Sequence, residues 1–441
     1  MARISPFQAW RYSAGHVPIG QVVTQPYDKI TPAMQETYYQ ASDFNLVRII
    51  LGKRFPADTA SDNVYTRAAA SFQNWRGMGV LRQDSQPSLY RYSQTFTVPG
   101  SKSVAERRGF IGLGRIEDYS AGVVFRHEHT LSKPKADRLD LLRATRAHFG
   151  QIFMLYSGGG KVDALLESVA PYDAAAGGFV APEVEVSDED GVVHRMWKVS
   201  DPAAIASVQQ RMAEQKLIIA DGHHRYETAL NYRNERRAAA GSQAAAPFDF
   251  VMMTFVDMDA PGLVVLPTHR VVFGLPSSAL LNFSSEVRRF FNVEEVDPGI
   301  DEARATGILR QAGKAETALL AVTREQAFLL HKPKSVGTSF FGNISLRQQA
   351  LDVVQLHKCV LEGCLHISEE AIRNQQNVTY LRSAGEALAQ VADGKAQIAF
   401  LMNPVPVGQV RDIALAGEVM PQKSTDFYPK LLSGLTIYAL E

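Results

Sequence analysis

Cysteine is almost missing from this sequence: Cys359 and Cys364 are the only two in 441 residues. They lie five apart in a stretch with helical spacing, which sets them on different sides, so neither a structural disulfide nor a zinc knuckle is expected. Net charge is missing as well. Lys and Arg number 46 and Asp and Glu 46, so no whole-molecule field draws in nucleic acid or an anionic membrane, and nucleic acid is not an expected partner. No window approaches the roughly 18 uninterrupted apolar residues of a membrane helix. The start, Met1-Ala-Arg-Ile-Ser-Pro-Phe7, has no secretory apolar run either, and a cytoplasmic address is the expectation. Internal repeats and heptads are absent.

What remains is an ordinary globular composition. Hydrophobic residues at 46% and charged residues at 21% lie far from the signature of disorder, so the chain should fold nearly end to end. Apolar spacing over 61–81 predicts a helix ending at Gly77 or Gly79, then strands over 88–98 and 108–118, a helix over 137–149 and a buried strand over 151–156. An acidic turn at 187–191 leads into a strand over 192–199. A helix over 203–216, a buried strand over 217–220 and a charged helix over 223–237 follow. Strands over 248–258 and 263–266 then close this half at Pro267-Thr-His-Arg270. After about residue 275 the texture becomes a cleaner alternation. Helices are predicted at 277–291, 300–311, 345–365, 385–392 and 408–417, with strands at 317–323, 326–331, 378–381 and 397–402. The expected fold class is mixed α/β, with a core over 1–275 and a second α/β unit over 276–441 whose Lys-Ser-Thr segment returns to the cleft.

The densest chemistry stands at Ala220-Asp-Gly-His-His-Arg225, between a four-residue apolar strand and a helical pattern, at the carboxyl end of a strand where open α/β sheets bind ligands. Gly222 lets the backbone approach a bound group, and the first amides of the helix suit a phosphate. Arg225 adds a bidentate donor, expected to face solvent until a ligand arrives, and His223 and His224 can donate. Asp221 could take a proton or hold a cation. The plainer alternative is an Asp cap on a helix with ordinary surface histidines.

Other clusters are candidates for the same site. In Arg126-His-Glu-His-Thr-Leu-Ser-Lys-Pro-Lys-Ala-Asp-Arg138, His127 and His129 share one side with Glu128 opposite, and Lys133, Lys135 and Arg138 follow. An anion-clamping loop is favoured over a transition-metal site. Asp28, after Pro26-Tyr27, could serve as a base. His269 and Arg270 end a strand, and Lys423, Ser424 and Thr425 pair a lysine with two hydroxyls but lack the glycine frame of a P-loop. The groups around His127 and His223 are expected to converge, with His269 and Lys423–Thr425 bordering them.

Met1-Ala-Arg-Ile-Ser-Pro-Phe7, Trp10-Arg-Tyr12, Pro26-Tyr-Asp28, His127-Glu-His-Thr130, Pro134-Lys-Ala-Asp-Arg-Leu139, Ile219 to Leu230, Leu266-Pro-Thr-His-Arg270 and Met420 to Lys430 resemble the prokaryotic domain-of-unknown-function 1015 family. More distantly, Gly222-His-His-Arg225 is similar to the Gly-x-x-Arg turn with which the ParB/sulfiredoxin-like superfamily binds nucleotides. That superfamily includes sulfiredoxin, a free-serine kinase and the partition protein ParB. Sulfiredoxin's reactive cysteine is replaced here by His223 and His224, which argues against sulfinic acid repair. The resemblance implies a ParB/sulfiredoxin-like nucleotide-binding core and Asp28 as the counterpart of the serine kinase's early acid. The resulting expectation is an ATP- or other nucleotide-dependent, Mg2+-using phosphotransferase acting on a small hydroxylated metabolite, serine-related compounds included. Catalysis would fall to Asp28, Asp221, His223 and His224, with Mg2+ on Glu128 or Asp221. The alternatives are a phosphomonoester hydrolase using the same site and a ParB-like nucleotide-switched binding protein without turnover.

Overall fold

A computed structural model of the chain describes every residue except 129–132, 170–171, 174–177, 180, 241–244 and 315, and only the backbone of 133–134, 172–173, 178–179 and 338. The fold is mixed α/β and divides into two units. Unit 1 comprises Met1–Arg126, Thr130–Val264 and Pro429–Glu441, and unit 2 comprises His127–His129 and Val265–Tyr428.

Unit 1 is built on a nine-stranded sheet. Its strands are β1 (Ile4–Ser5), β2 (Leu89–Thr97), β3 (Val104–Arg115), β4 (Val124–Phe125), β5 (Ile152–Tyr156), β6 (Val184–Ser187), β7 (Val193–Val199), β8 (Leu217–Asp221) and β9 (Phe250–Asp257). They lie in the order β6-β7-β2-β3-β9-β5-β8-β4, with β1 paired to β3. The β9–β5 and β8–β4 pairs are parallel and β5–β8 is antiparallel. One face carries Leu89, Phe110, Met154, Leu217, Ile219 and Phe255, which pack with residues of helices over Lys161–Val169, Pro202–Ala213 and His223–Ala240. Period-two alternation then puts Tyr92, Gln94, Arg107 and Phe153 on the opposite face. A second core joins Phe72 and Trp75 of the helix Val64–Gly77 to Leu141 and Phe149.

Unit 2 has a six-stranded sheet. Its strands are β10 (His269–Val272), β11 (Asn292–Val296), β12 (Ala318–Val322), β13 (Ala327–His331), β14 (Val378–Leu381) and β15 (Ile398–Met402), ordered β11-β13-β12-β15-β10-β14. Its paired strands run antiparallel. Val271, Leu320, Val322, Ala399 and Leu401 form its core with Leu309 and Val391.

Three expectations are corrected. Pro267-Thr-His-Arg270 does not close a strand: His269 and Arg270 open β10, bonded between β15 and β14, because the proline ends the preceding segment and leaves the next three residues free to pair. The single helix over 345–365 is broken once, because Leu351 leaves the helical region (φ −84°, ψ 129°) and is buried there; Leu346–Gln349 precedes the break, and after it Asp352–Gln355 runs directly into a π-helical Leu356–Glu362. The helix over 137–149 lies instead over Lys133–Thr145; Arg146 takes a left-handed φ of 49°, and the apolar pattern runs on into the short strand Ala147–His148.

Gly109 marks a close approach of backbone to backbone within the unit 1 sheet. A Cβ there would stand 2.3 Å from the Phe255 carbonyl oxygen and 2.9 Å from Val256 Cγ2. Gly109→Ala should therefore destabilise the protein by about 2 kcal/mol or more, through overpacking against backbone that cannot yield. Urea unfolding checks this; an unchanged midpoint would show that β3 and β9 can part without penalty.

Candidate functional site

The Asp-Gly-His-His-Arg turn begins with a fault in a strand. Along β8, Ile219 faces Met154 of β5, yet Asp221 faces Phe153, so one extra residue, Ala220, is inserted between them. In a regular strand Asp221 would share the core-facing side of Leu217 and Ile219. The bulge re-aims it to the side of Phe153. Gly222 follows with φ +91°, and a Cβ there would stand 3.0 Å from Arg225 Nε. Only glycine both adopts that backbone and leaves the guanidinium room. Helix His223–Ala240 starts immediately afterwards, locked by the Tyr226 hydroxyl, which accepts from Glu117 N at 2.9 Å and donates to Glu117 O at 2.6 Å.

Asp221 is the electrostatic centre. Arg225 Nη2 donates to its Oδ2 at 2.8 Å, and Lys430 Nζ lies 3.6 Å from its Oδ1. Burial alone would raise its pKa. Lys430, Arg225, Lys29 and His223 outweigh burial and hold the carboxyl well below the ordinary aspartate range. Arg225 is not the solvent-facing donor expected from sequence: it also donates from Nη1 to the Gln151 carbonyl, and its side chain is 14% exposed. Both terminal nitrogens of the fork thus donate within the protein, which makes Arg225 a brace of the turn as well as a cation.

Beside this centre opens a cleft of about 590 Å³, part of it open to solvent. Ile50, Leu141, Leu142, Phe149 and Val251 line it with apolar surface, and Tyr27, Arg138, His148, Arg225 and Thr228 add polar groups. Pro26–Lys29 is a tight turn closed by Lys29 N to Pro26 O at 2.8 Å. It lays the Tyr27 ring under the Arg138 guanidinium, 4.2 Å from the ring centroid, and leaves Asp28 exposed. Arg138 and Leu141 come from one face of the helix Lys133–Thr145. Burial drives the His148 pKa down to about 4, so this ring is neutral. Thr228 Oγ1 is buried without a hydrogen-bond partner among the described residues.

The remaining candidates divide. Lys135 is spent on an ion pair with Glu227, which also attracts Arg126 at 3.8 Å, and the side chain of Lys133 and all of His129 lie outside the described residues. Unit 2 gathers its own set. His127 Nε2 lies 2.8 Å from Thr425 Oγ1, and Glu128 Oε1 accepts from Thr425 N and Oγ1, both at 2.9 Å. Arg270, 1% exposed, donates to Thr268 O and, at 3.0 Å, to Lys423 O; burial lowers its pKa to about 10. His269 Nδ1 accepts from Met402 N at 3.2 Å, and the Ser424 hydroxyl donates to Pro421 O at 2.5 Å. No group of three or more His, Cys, Asp or Glu placed to hold a metal ion occurs among the described residues, and no described helix is long and apolar enough to cross a membrane.

Lys430 is the residue that sequence reasoning passed over. It ends the Met420 to Lys430 motif, but attention there fell on Lys423, and nothing in local spacing connects it to a turn on the far side of unit 2 in the sequence.

Two outcomes follow from this geometry. Because the folded pKa of Asp221 is depressed, its contribution is fully present above the unfolded value of about 3.9 and is lost as pH falls towards the folded one. Asp221→Asn should cost on the order of 2 kcal/mol at pH 7 and progressively less below about pH 4 in urea unfolding across pH. A pH-independent deficit would remove the ion pairs from the explanation. Arg225→Ala should lower stability by about 2 kcal/mol, because a buried carbonyl and a carboxylate lose their donor; a variant as stable as the parent would return Arg225 to the role of a free ligand-binding arm.

No curated protein matches the chain. Among solved structures, a conserved hypothetical protein from Pyrococcus furiosus is similar at 13% identity and TM-score 0.34, over 71% of this chain and 90% of that one. A free serine kinase in complex with AMP stands at 13% and 0.33, over 71% and 88%. SbnI with C-terminal truncation from Staphylococcus aureus stands at 10% and 0.34, over 75% and 87%. Likeness at this level says nothing about activity. Sequence comparison does reach a family: its model matches residues 4–354, most of the length, and the chain belongs to the family described as protein of unknown function (DUF1015).

Proposed function

We propose that this protein is a nucleotide-dependent phosphotransferase acting on a small hydroxylated metabolite, with its site in unit 1. The observation that carries the reading is a cleft whose lining is apolar along Ile50, Leu141, Leu142 and Phe149 and cationic towards Arg138 and Arg225, with Lys430 and Lys29 gathered on the same Asp221. A nucleotide has the matching division: a flat apolar base and a row of anionic oxygens. The base would lie along the apolar lining, near the Tyr27–Arg138 stack. The phosphates would meet Arg225, Lys430 and the first amides of the helix at Gly222 to His224, where a helix start favours anions. The Thr228 hydroxyl, buried without a partner among the described residues, supplies a further donor facing the cleft.

Asp221, kept ionised by its surroundings, fits the magnesium of a metal–nucleotide complex, which needs only one or two carboxylates besides the phosphates. The metal would neutralise charge on the transferring phosphoryl group. Asp28, on the exposed tip of the Pro26–Lys29 turn, would take the proton of the attacking hydroxyl. With water in place of the hydroxyl as nucleophile, the same parts would hydrolyse a phosphomonoester to its alcohol and inorganic phosphate, and a nucleotide-switched binding protein would use the cleft without turnover.

Incubation with a panel of nucleotides and hydroxylated metabolites, followed by phosphorus NMR, should show a new phosphomonoester and a shortened nucleotide. Nucleotide binding without any turnover would favour the switch, and no binding at all would sink the reading. Asp28→Asn should slow the chemical step by roughly 10²–10⁴-fold while nucleotide affinity stays within a few-fold, because a general base acts in the transition state. Single-turnover kinetics beside equilibrium titration measure both, and near-normal turnover would take Asp28 out of the mechanism.

A further inference from the structure

The face of the unit 1 sheet that carries Asp221 also carries a row of polar side chains that no step above uses. Gln94 of β2 stands directly opposite His194 of β7 on one side and Arg107 of β3 on the other, so the three form a line across adjacent strands. All three are at most 2% exposed. Such a row is no stronger than a well-packed apolar one and is costly wherever a partner is missing. Here the partners are present. Arg107 donates to Gln94 Oε1 and to the carbonyl of Pro429, and Gln94 Nε2 donates to the carbonyl of Lys430 at 2.7 Å. The Leu432 amide bonds the Tyr92 hydroxyl, which lies 2.5 Å from His194 Nδ1. His194 Nε2 lies 3.0 Å from Asp188 Oδ2, and burial holds the ring neutral, so it donates there and accepts from Tyr92. Asp188 Oδ2 also accepts from Gln25 Nε2 at 3.1 Å, immediately before Pro26.

We infer that this row is the positioning device of the anion site: Arg107, Gln94, Tyr92 and His194 grip the backbone from Pro429 to Leu432 and thereby set the Lys430 ammonium against Asp221, while Asp188 ties the Gln25–Tyr27 wall of the cleft to the same row. The grip is specific in kind. It takes two consecutive carbonyls and an amide of one short segment, each from a different side chain, which fixes the segment's register along the sheet. A one-residue slip would carry Lys430 away from Asp221. The placement of Lys430 follows from the fold; its meaning for nucleotide binding rests on the reading proposed above.

Gln94→Leu tests it, with Tyr92→Phe as the gentler change should the first fail to fold. The ligand-free measurement is the acylation rate of the Lys430 amine in the intact chain, read by peptide mass spectrometry. It should rise several-fold as Lys430, 9% exposed in its present place, comes loose. AMP titration should show affinity about tenfold weaker, as expected when one charge-assisted hydrogen bond to the phosphate no longer forms. Combining Gln94→Leu with Lys430→Met should weaken binding no further, because both changes act on that same interaction. Additive effects, or unchanged Lys430 reactivity in folded variants, would overturn the inference. A changed reactivity with AMP affinity unmoved in every variant, Lys430→Met included, would leave the positioning role standing and refute the nucleotide site.

Discussion

A carboxylate held ionised between cations is the interaction on which the rest of unit 1 turns. Asp221 stays charged because Lys430 and Arg225, with Lys29 and His223, outweigh its burial; Arg225 stands four residues on, and Lys430 comes from beyond the whole of Val265–Tyr428. Removing either cation would leave a partly buried charge short of compensation, so the turn, the helix start and the returning Pro429–Glu441 segment are mutually dependent. A site built this way carries its field before any ligand arrives. Such preorganisation, in which the protein has already met the cost of orienting its dipoles and charges, is what makes electrostatic stabilisation effective when charge later develops.

Much of this was legible in the sequence, and the reason is that short-range chemistry dominates there. A buried strand, a glycine and a helix at Leu217 to Arg237 could be placed from periodicity and residue type alone. The bulge at Ala220 was not legible, because the apolar run up to it is equally compatible with a regular strand, and only the register against Met154 and Phe153 exposes the inserted residue. Lys430 escaped for a different reason: its partner is distant in sequence, and a lysine after a proline signals nothing locally. Arg270 was noticed for its charge but misplaced. It was set at the end of a strand, whereas it lies near the start of β10 and is buried there, against the usual burial preference of arginine.

Unit 2 shows the same economy on a smaller scale. Thr425 serves Glu128 with both its amide and its hydroxyl, and His127 meets that hydroxyl from the other side, so residues from two distant stretches of sequence form one knot. The left-handed Lys423, with φ 60°, lies just before it and presents its carbonyl to Arg270. A polar knot of this kind favours one arrangement of the Met420 to Tyr428 stretch over the alternatives, which apolar packing alone would not discriminate.

The stitching of Pro429–Glu441 into unit 1 has a consequence in time as well as in space. Besides the bonds that Pro429, Lys430 and Leu432 make to the sheet, Ser433 pairs with Thr24, Ile437 with Trp10, and Tyr438 with His148. The ribosome delivers these residues only after Val265–Tyr428, so a nascent chain has made Asp221 and Arg225 long before Lys430 exists. Through all that interval the turn is short of a cation and the sheet face that grips Pro429 is uncovered. The charged centre can be completed only once Pro429–Glu441 has emerged, so unit 1, though its strands are made first, cannot reach its final form before the whole of Val265–Tyr428 has been synthesised.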